Sequence, residues 1–205
     1  MEKRIAIINI GVGNINSVFN AIKRLDEKPR LISLGNELDL FNPTHIIMPG
    51  VGAVGSAINN LRLKNFINPL NNLVKKKGVY FCGICLGMQI ITETCEEFGI
   101  HEGLGWIPGK VQLLDTKGLS SPHMGWNTIK VTNKNNIFLE INDLDMFFAH
   151  SYYVNCPEKY IVATSKYGSE FAAIVQSNNI IGIQSHPERS SLVGNIFLNK
   201  FINLG

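Results

Sequence analysis

The apolar residues in the first half of the chain form short continuous runs, and between the runs they recur at helical spacing. A continuous run of strand length is typical of a strand covered on both faces. Such runs lie at residues 4–10, 29–34, 45–48 and 79–81, with helical spacing over 15–25 and 56–74. The pattern predicts β-α-β-β-α-β-α, a flavodoxin-like, doubly wound α/β fold with a mostly parallel sheet.

The second half has a different texture, with short β-type runs separated by turn residues after the glycine-rich segment 103–109. This pattern predicts an antiparallel layer added to the parallel half. The expected strands are 110–114, 128–131, 146–148, 161–165, 171–176 and 180–184, with a hairpin turn at Asn178-Asn179 and a closing helix over 192–201. We find no linker or repeat, and we predict that residues 1–205 form one domain.

Cys85 stands in the pattern Gly83-Ile-Cys85-Leu-Gly87, directly after the strand at 79–81. Met88, Ile91 and Cys95 follow at helical spacing and predict that the chain continues as a helix. A nucleophile held between two glycines on a strand-to-helix turn is a nucleophile elbow. Two other interpretations stay open: Cys82-Gly-Ile-Cys85 also matches the thioredoxin-like C-x-x-C motif, and a lone cysteine is most often a small buried hydrophobe.

Composition limits the classes of function. The chain has 205 residues, is 45% hydrophobic and carries a net charge of +3, which suits one sizeable core. Lys75–Lys77 matches the basic end of a helix better than a nucleic-acid patch. We expect four unpaired cysteines, a cytoplasmic protein, and no membrane segment, metal or cofactor.

The segment Pro49–Gly55 contains a formal match to the dinucleotide-binding pattern G-x-G-x-x-G. The acidic residue that should follow the next strand is absent, so we reject that function. Glycines here still let backbone N–H groups approach a ligand. We therefore predict an oxyanion hole made by Leu86, directly after the nucleophile, and by Val51 and Gly52.

A nucleophilic thiol needs a base, and the last predicted strand ends in His186-Pro187-Glu188. In an extended segment residues i and i+2 face the same side, so Glu188 could hold the imidazole of His186 in one tautomer. Pro187 favours the extended backbone. Among the five histidines, His186 is therefore the candidate base.

Together, these motifs resemble the Cys-His-Glu triad of the class I glutamine amidotransferases, and more closely the family of glutaminase subunits of imidazole glycerol phosphate synthase. The similarity covers essentially the whole chain in order. The motifs that carry it are Gly83–Gln89, Pro49–Ala53, Gly103–Gly105, Ile107–Val111, Pro122–Asn127, His150–Tyr153 and Gln184–Ser190.

The resemblance implies that Cys85, His186 and Glu188 hydrolyse L-glutamine through a thioester, without a cofactor. It implies that glutamine is bound at Gly50, Gly52, Leu86, Gln89, Ser151 and Tyr152. Ammonia would pass to a (β/α)₈-barrel cyclase in a heterodimer of the histidine pathway. That partner would contact Gly11, Asn14, Met124, Trp126, Asn127 and Arg189.

The chain also departs from that family, and several of the departures lie on the side that would face the partner. Asn9-Ile10 replaces a usual Asp-Tyr, Phe147 a tyrosine, Ser185 a phenylalanine and Arg189 a lysine, and Ser120-Ser121 stands where a basic residue is customary. These changes leave open a paralogous glutaminase with another partner, such as a synthetase that amidates a surface sugar. A thiol oxidoreductase and a non-catalytic flavodoxin-like binding module are the remote alternatives.

Overall fold

The computed structural model describes residues 2–11 and 13–205. Within them the chain forms fourteen strands and six α-helices. The strands are β1 (Ile5–Ile8), β2 (Arg30–Ile32), β3 (His45–Gly50), β4 (Tyr80–Cys85), β5 (Thr94–Cys95), β6 (His101–Glu102), β7 (Lys110–Leu113), β8 (His123–Thr128), β9 (Lys130–Val131), β10 (Asp145–His150), β11 (Tyr152–Asn155), β12 (Ile161–Tyr167), β13 (Ser169–Ser177) and β14 (Ile180–Ile183). The helices are α1 (Ile15–Lys23), α2 (Gly35–Phe41), α3 (Val54–Leu63), α4 (Ile67–Leu70), α5 (Leu86–Gln89) and α6 (Ser191–Ile202).

The main sheet runs in the order β2-β1-β3-β4-β14-β13-β12-β9. The strands from β2 to β14 are parallel, and β13, β12 and β9 continue the sheet antiparallel. Two smaller sheets, β10-β8 and β11-β7-β5-β6, complete the fold. The predicted α/β architecture is confirmed, with one refinement: part of the antiparallel layer extends the main sheet.

The main sheet has a hydrophobic core on each face. Along β1, Ile5 and Ile7 belong to one buried cluster, and Ala6 and Ile8 belong to the other. This alternation follows from the two-residue period of a strand and explains why β1 is a continuous apolar run. Among the described residues, no helix combines the length and the apolar character needed to cross a membrane.

The parallel register brings the ends of β4 and β14 together. Gly182 pairs with Gly83 and Ile183 pairs with Ile84. Cys85 ends β4, and the chain that leaves β14 reaches His186 three residues later. Because parallel strands end at the same edge of a sheet, this register places both candidate catalytic segments at one edge.

Three local predictions are wrong. The helix after Cys85 ends at Gln89, and Cys95 lies in β5 instead of on that helix. The expected helix at 56–74 is divided into α3, α4 and a π-helical turn at Asn71–Lys76. The expected strand at 128–131 is divided between β8 and β9, which belong to different sheets.

Helix α2 was not predicted, so the chain from β1 to α5 reads β-α-β-α-β-α-α-β-α rather than β-α-β-β-α-β-α. Its N-terminus carried a signal that the apolar spacing did not reveal. Oε2 of Glu37 accepts hydrogen bonds from the backbone N–H groups of Ser33 and Leu34, at 2.8 and 3.2 Å. A glutamate in the first turn that reaches back to free N–H groups is a helix-start signature.

Candidate active site

Cys85 occupies a sharp turn between β4 and α5, as the elbow pattern predicts. Its backbone has φ 53° and ψ −104°, a combination that is strained for a residue with a side chain. A Cβ on Gly83 would lie 2.2 Å from the carbonyl oxygen of Gly87, and a Cβ on Gly87 would lie 1.9 Å from that of Met48. The two glycines therefore allow strand and helix to meet closely enough to hold the turn.

His186 and Glu188 form a buried pair. Nδ1 of His186 lies 2.9 Å from Oε1 of Glu188, and their side chains are 6% and 5% exposed. A carboxylate can only accept, so Nδ1 carries the proton and Nε2 is left to face the reaction. Nε2 of His186 and Oε2 of Glu188 are buried without a hydrogen-bond partner in the described part of the chain.

The backbone that produces this pair differs from the predicted one. His186 itself is extended, but Pro187–Arg189 form a 3₁₀ turn. Glu188 thus reaches the imidazole through a turn that begins at Pro187. The fixed φ of proline suits the first position of such a turn as well as it suits an extended chain.

The electrostatics of the pair favour a charged imidazole. Burial lowers the pKa of His186, but hydrogen bonding and the negative charges of Cys85 and Glu188 outweigh burial and raise the pKa to about 10. Nε2 does not reach normal hydrogen-bond geometry with the sulfur of Cys85. Cys85 and the Glu188 carboxylate therefore both contribute to the raised pKa, and only Glu188 makes a hydrogen bond of normal geometry to the ring.

A cavity of about 510 Å³ opens over Cys85, a residue that is 6% exposed. Six of the other predicted residues line it: Val51, Gly52, Leu86, Gln89, Ser151 and Tyr152. Gly50 is not among the lining residues. It lies instead beside a smaller pocket of about 60 Å³, together with His186, Glu188 and Val51. Val51 borders both spaces.

The sequence prediction did not include Glu97 and Phe98, which also line this cavity. Oε2 of Glu97 accepts a hydrogen bond from the backbone N–H of Val54 at 3.3 Å, which holds the carboxylate at the cavity wall. Phe98 is 86% exposed and has φ 53°. No local pattern distinguishes these residues, because the predicted helix would have carried the segment elsewhere.

The residues expected at a partner interface differ in their surroundings: some are exposed, and others contact residues of the same chain. Met124 and Trp126, on β8, are 67% and 53% exposed. Arg189 lies over the ring of Phe147 at 4.1 Å, and Asn14 borders the smaller pocket. Asn127 instead donates to the carbonyl oxygen of Lys166 at 2.7 Å, and Gly11 is exposed. Val12, between Gly11 and Asn14, lies outside the described residues.

Cys82, the other half of the C-x-x-C motif, is fully buried. Burial and, to a smaller extent, the charge of Glu188 raise the pKa of its thiol far above the usual range. A thiol that stays protonated is a poor redox partner, since the thiolate is the reactive form. The described residues also contain no cluster of His, Cys, Asp and Glu suited to hold a metal ion.

The chain matches the profile of the family described as "Glutamine amidotransferase class-I" over residues 6–204. This chain belongs to the class I glutamine amidotransferase family. Family membership, the predicted fold and the prediction of a glutamine-hydrolysing enzyme are therefore confirmed.

Relatives of this amidotransferase carry a more specific name. Imidazole glycerol phosphate synthase subunit HisH 2 of Vibrio vulnificus is 39% identical, covering 98% of this chain and 94% of the relative. Subunit HisH of Zymomonas mobilis is 37% identical over 97% of this chain and 95% of its own, and that of Archaeoglobus fulgidus is 35% identical over 98% of each.

Solved structures share the fold of this amidotransferase at lower identity. PurLQS from Thermotoga maritima aligns with a TM-score of 0.75 at 20% identity, covering 99% of each chain. A structure described as a glutamine amidotransferase aligns with a TM-score of 0.76 at 14% identity, covering 97% of this chain and 96% of the other. At these identities the similarity shows the fold alone.

Proposed function

We propose that this amidotransferase is the glutaminase subunit of imidazole glycerol phosphate synthase, which supplies ammonia to a cyclase subunit in histidine biosynthesis. One observation carries the chemistry: Cys85 ends β4 beside the buried His186–Glu188 pair that follows β14. The names of the relatives support the pathway. The departures from the family at Asn9-Ile10 and Arg189 are what would favour a paralogue with another partner, but the names of these relatives do not support it.

In the first half-reaction, the thiol of Cys85 gives its proton to Nε2 of His186, and the sulfur attacks the side-chain amide carbon of glutamine. The new S–C bond produces a tetrahedral oxyanion, which the N–H groups of Leu86 and of the Val51–Gly52 segment would stabilise. The oxyanion collapses, the C–N bond breaks, and the imidazolium of His186 gives its proton to the departing nitrogen. The raised pKa of His186 suits it to this role as an acid.

In the second half-reaction, His186 is neutral and takes a proton from water, which attacks the thioester carbon. The C–S bond breaks, glutamate is released, and Cys85 is regenerated as a thiolate. Glu188 keeps its hydrogen bond to Nδ1 throughout, so that Nε2 faces the reacting atoms in both steps. Atoms balance as glutamine plus water giving glutamate plus ammonia.

The cavity also offers groups suited to the amino-acid end of glutamine. Nε2 of Gln89 donates to the carbonyl oxygen of Tyr152 and to Oε1 of Gln184, so both of its protons are used. Oε1 of Gln89 is then free to accept from the substrate. We assign the carboxylate of Glu97, which lines the same cavity, to the α-ammonium group.

The partner in this proposal is a (β/α)₈-barrel cyclase that forms a heterodimer with residues 1–205, which act as one amidotransferase domain in the cytoplasm. Met124 and Trp126 are large exposed side chains on β8, as suits residues that a partner covers. Arg189 connects this face to the catalytic segment, because it follows Glu188 and stacks on Phe147.

A direct test measures ammonia and glutamate release from glutamine by the purified chain, with and without the cyclase and its nucleotide substrate. We expect hydrolysis that the cyclase stimulates and that Cys85→Ala abolishes. Retained activity in Cys85→Ala would overturn the chemistry. A chain that hydrolyses glutamine but neither binds nor responds to the cyclase would overturn the pathway alone.

A further inference from the structure

Gln184, the first residue after β14, is fully buried beside the nucleophile. Its Nε2 lies 3.6 Å from the sulfur of Cys85, within hydrogen-bond range for a sulfur acceptor. Its backbone N–H donates to the carbonyl oxygen of Ala173 at 2.9 Å, which fixes the start of the side chain. An amide in this position contacts the atom that would attack glutamine.

The neighbours of Gln184 determine which end of its amide faces the sulfur. Nε2 of Gln89 donates to Oε1 of Gln184 at 3.3 Å and to the carbonyl oxygen of Tyr152 at 2.9 Å. A carbonyl oxygen can only accept, so the nitrogen of Gln89 must point this way. If the Gln184 amide were reversed, two NH₂ groups would face each other. Its NH₂ group is therefore directed at Cys85.

Two buried histidines secure the carbonyl group of Tyr152 from the other side. Nδ1 of His150 donates to it at 2.9 Å. Burial lowers the pKa of His150 to about 3, so the ring is neutral and its Nε2 accepts. Nδ1 of His123 then donates to that Nε2 at 3.2 Å. A directed chain of hydrogen bonds thus leads from His123 on β8 to the Tyr152 carbonyl, where Gln89 and then Gln184 link it to the sulfur.

From this geometry we propose that Gln184 is a further catalytic residue, whose amide N–H donates to the sulfur of Cys85. The proposal rests on the proposed function, in which Cys85 is the nucleophile. The donor stabilises the thiolate before it attacks the amide carbon. It faces the same atom again when the thioester breaks and the sulfur leaves as a thiolate.

A donor to a thiolate has two opposing effects. It increases the fraction of thiolate at a given pH, and it reduces the reactivity of each thiolate, since thiolate nucleophilicity falls with basicity. With a Brønsted coefficient of about 0.4 to 0.5, a shift of one pH unit in the titration changes the intrinsic reactivity only about threefold. Loss of the donor should therefore raise the midpoint of thiol reactivity and also raise its plateau at high pH.

The test compares Gln184→Met and Gln184→Glu with the wild type. Gln184→Met removes the donor at similar volume. Gln184→Glu keeps an oxygen for Gln89 and turns an acceptor towards the sulfur. Gln176→Met is the matched control, because Gln176 lies on the adjacent strand β13 and donates to the carbonyl oxygen of Asn178 instead.

The readout is the rate of iodoacetamide alkylation of Cys85 from pH 5 to 10, followed by fragment-ion mass spectrometry that separates Cys85 from Cys82 and Cys95. In Gln184→Met we expect the midpoint to rise by about one to two pH units and the plateau rate by about threefold or more. In Gln184→Glu we expect a midpoint at least as high, with kcat for glutamine lowered about tenfold or more and KM changed less. Gln176→Met should match the wild type.

The proposal is overturned if the midpoint stays in place in both variants. It is also overturned if both variants lose reactivity at every pH with a lowered melting temperature, since that pattern indicates only a structural role. Alkylation requires no glutamine, so its outcome is independent of turnover. A wild-type chain that fails to hydrolyse glutamine would overturn the proposed function while the alkylation profile still decides whether Gln184 acts on the sulfur.

Discussion

Glu188 reaches back two residues to hold Nδ1 of His186 at 2.9 Å, inside a site from which water is largely excluded. The acid–base chemistry of His186 depends on that contact. It selects the tautomer of the imidazole, and its charge helps to raise the pKa of His186 to about 10. Replacing the carboxylate should therefore change a pH profile as well as a rate.

In Glu188→Gln an oxygen can still accept from Nδ1, but the negative charge is lost. The pKa of His186 should fall, so the alkaline limb of kcat, where the imidazolium acid is lost, should move to lower pH. We expect kcat at pH 8 to fall by about tenfold or more. The measurement is kcat from pH 6 to 10, with Glu96→Gln as the control, because Glu96 forms a surface ion pair with Lys110. An unchanged alkaline limb would contradict the assigned cause of the shift.

The same contact should appear in stability measurements. A histidine whose pKa is raised from 6.5 to about 10 on folding adds stability that is fully present below pH 6.5 and is lost as pH rises through 10. The difference in unfolding free energy between wild type and Glu188→Gln should therefore be larger at pH 6 than at pH 9.5. Denaturant melts at several pH values measure it. A difference in unfolding free energy that grows as the pH rises would contradict the stabilising effect assigned to Glu188.

Replacement of the two cysteines of the elbow should have clearly different effects on activity. Cys85→Ala should reduce glutamine hydrolysis by more than about 10³-fold, because no thioester can form. Cys82→Ala should retain activity within about twofold and lose about 1 kcal/mol of stability, as expected for a small cavity at a fully buried position. Labelling with a diazoketone analogue of glutamine should modify Cys85 alone. Modification of Cys82 would contradict the assignment.

Gly87 should tolerate no side chain. A Cβ there would lie 1.9 Å from the carbonyl oxygen of Met48, and backbone on a central strand cannot move away. We expect Gly87→Ala to lower the unfolding free energy by more than about 3 kcal/mol. Gly182→Ala is the comparison, because its close contacts would be the side chains of Met88 at 2.7 Å and Val175 at 3.0 Å instead of backbone. Equal costs for the two variants in urea melts would contradict this explanation of the elbow.

Trp126 should contribute to partner binding and little to folding. Its ring is half exposed and meets Phe147 edge-on, with the ring centroids 6.2 Å apart. We expect Trp126→Ala to weaken binding to the cyclase by about 2 kcal/mol, roughly 30-fold, with little change in melting temperature. Leu40→Ala, which alters an exposed apolar residue on α2, is the control. Calorimetric titration of the cyclase with each variant measures the binding affinity. Equal losses of affinity in Trp126→Ala and Leu40→Ala would show that the interface lies elsewhere.

The sequence predicts best where local pattern and tertiary structure agree. The apolar runs of β1, β3 and β4 are buried strands because helices cover both faces of the sheet. The elbow could be predicted because its chemistry needs glycine at Gly83 and Gly87. The His186–Glu188 pairing could be predicted from spacing, although the turn that produces it could not.

Prediction fails where a distant segment takes the backbone partners that a local element would use. The helix after Cys85 stops because the carbonyl oxygens of Ile90, Ile91 and Thr92 accept from N–H groups in the 104–107 segment. Similarly, the break after α3 coincides with Asn65 at φ 57° and with the N–H of Gly35 donating to the carbonyl oxygen of Lys64. The spacing of apolar residues within one element does not indicate such distant hydrogen-bond partners. Glu97 was not predicted as a site residue for that reason.

The pairing of β14 with β4 has a consequence for the order of events as the protein matures. Ile183 and Ile84 are register partners although they are about a hundred positions apart in the chain. A slip of one residue in the register would move His186 by about 3.3 Å and would point the side chains of β14 to the opposite face of the sheet. Contacts of such long sequence separation form slowly. A nascent chain that has completed the elbow is therefore still inert, and the first turnover should follow closure of the last parallel strand.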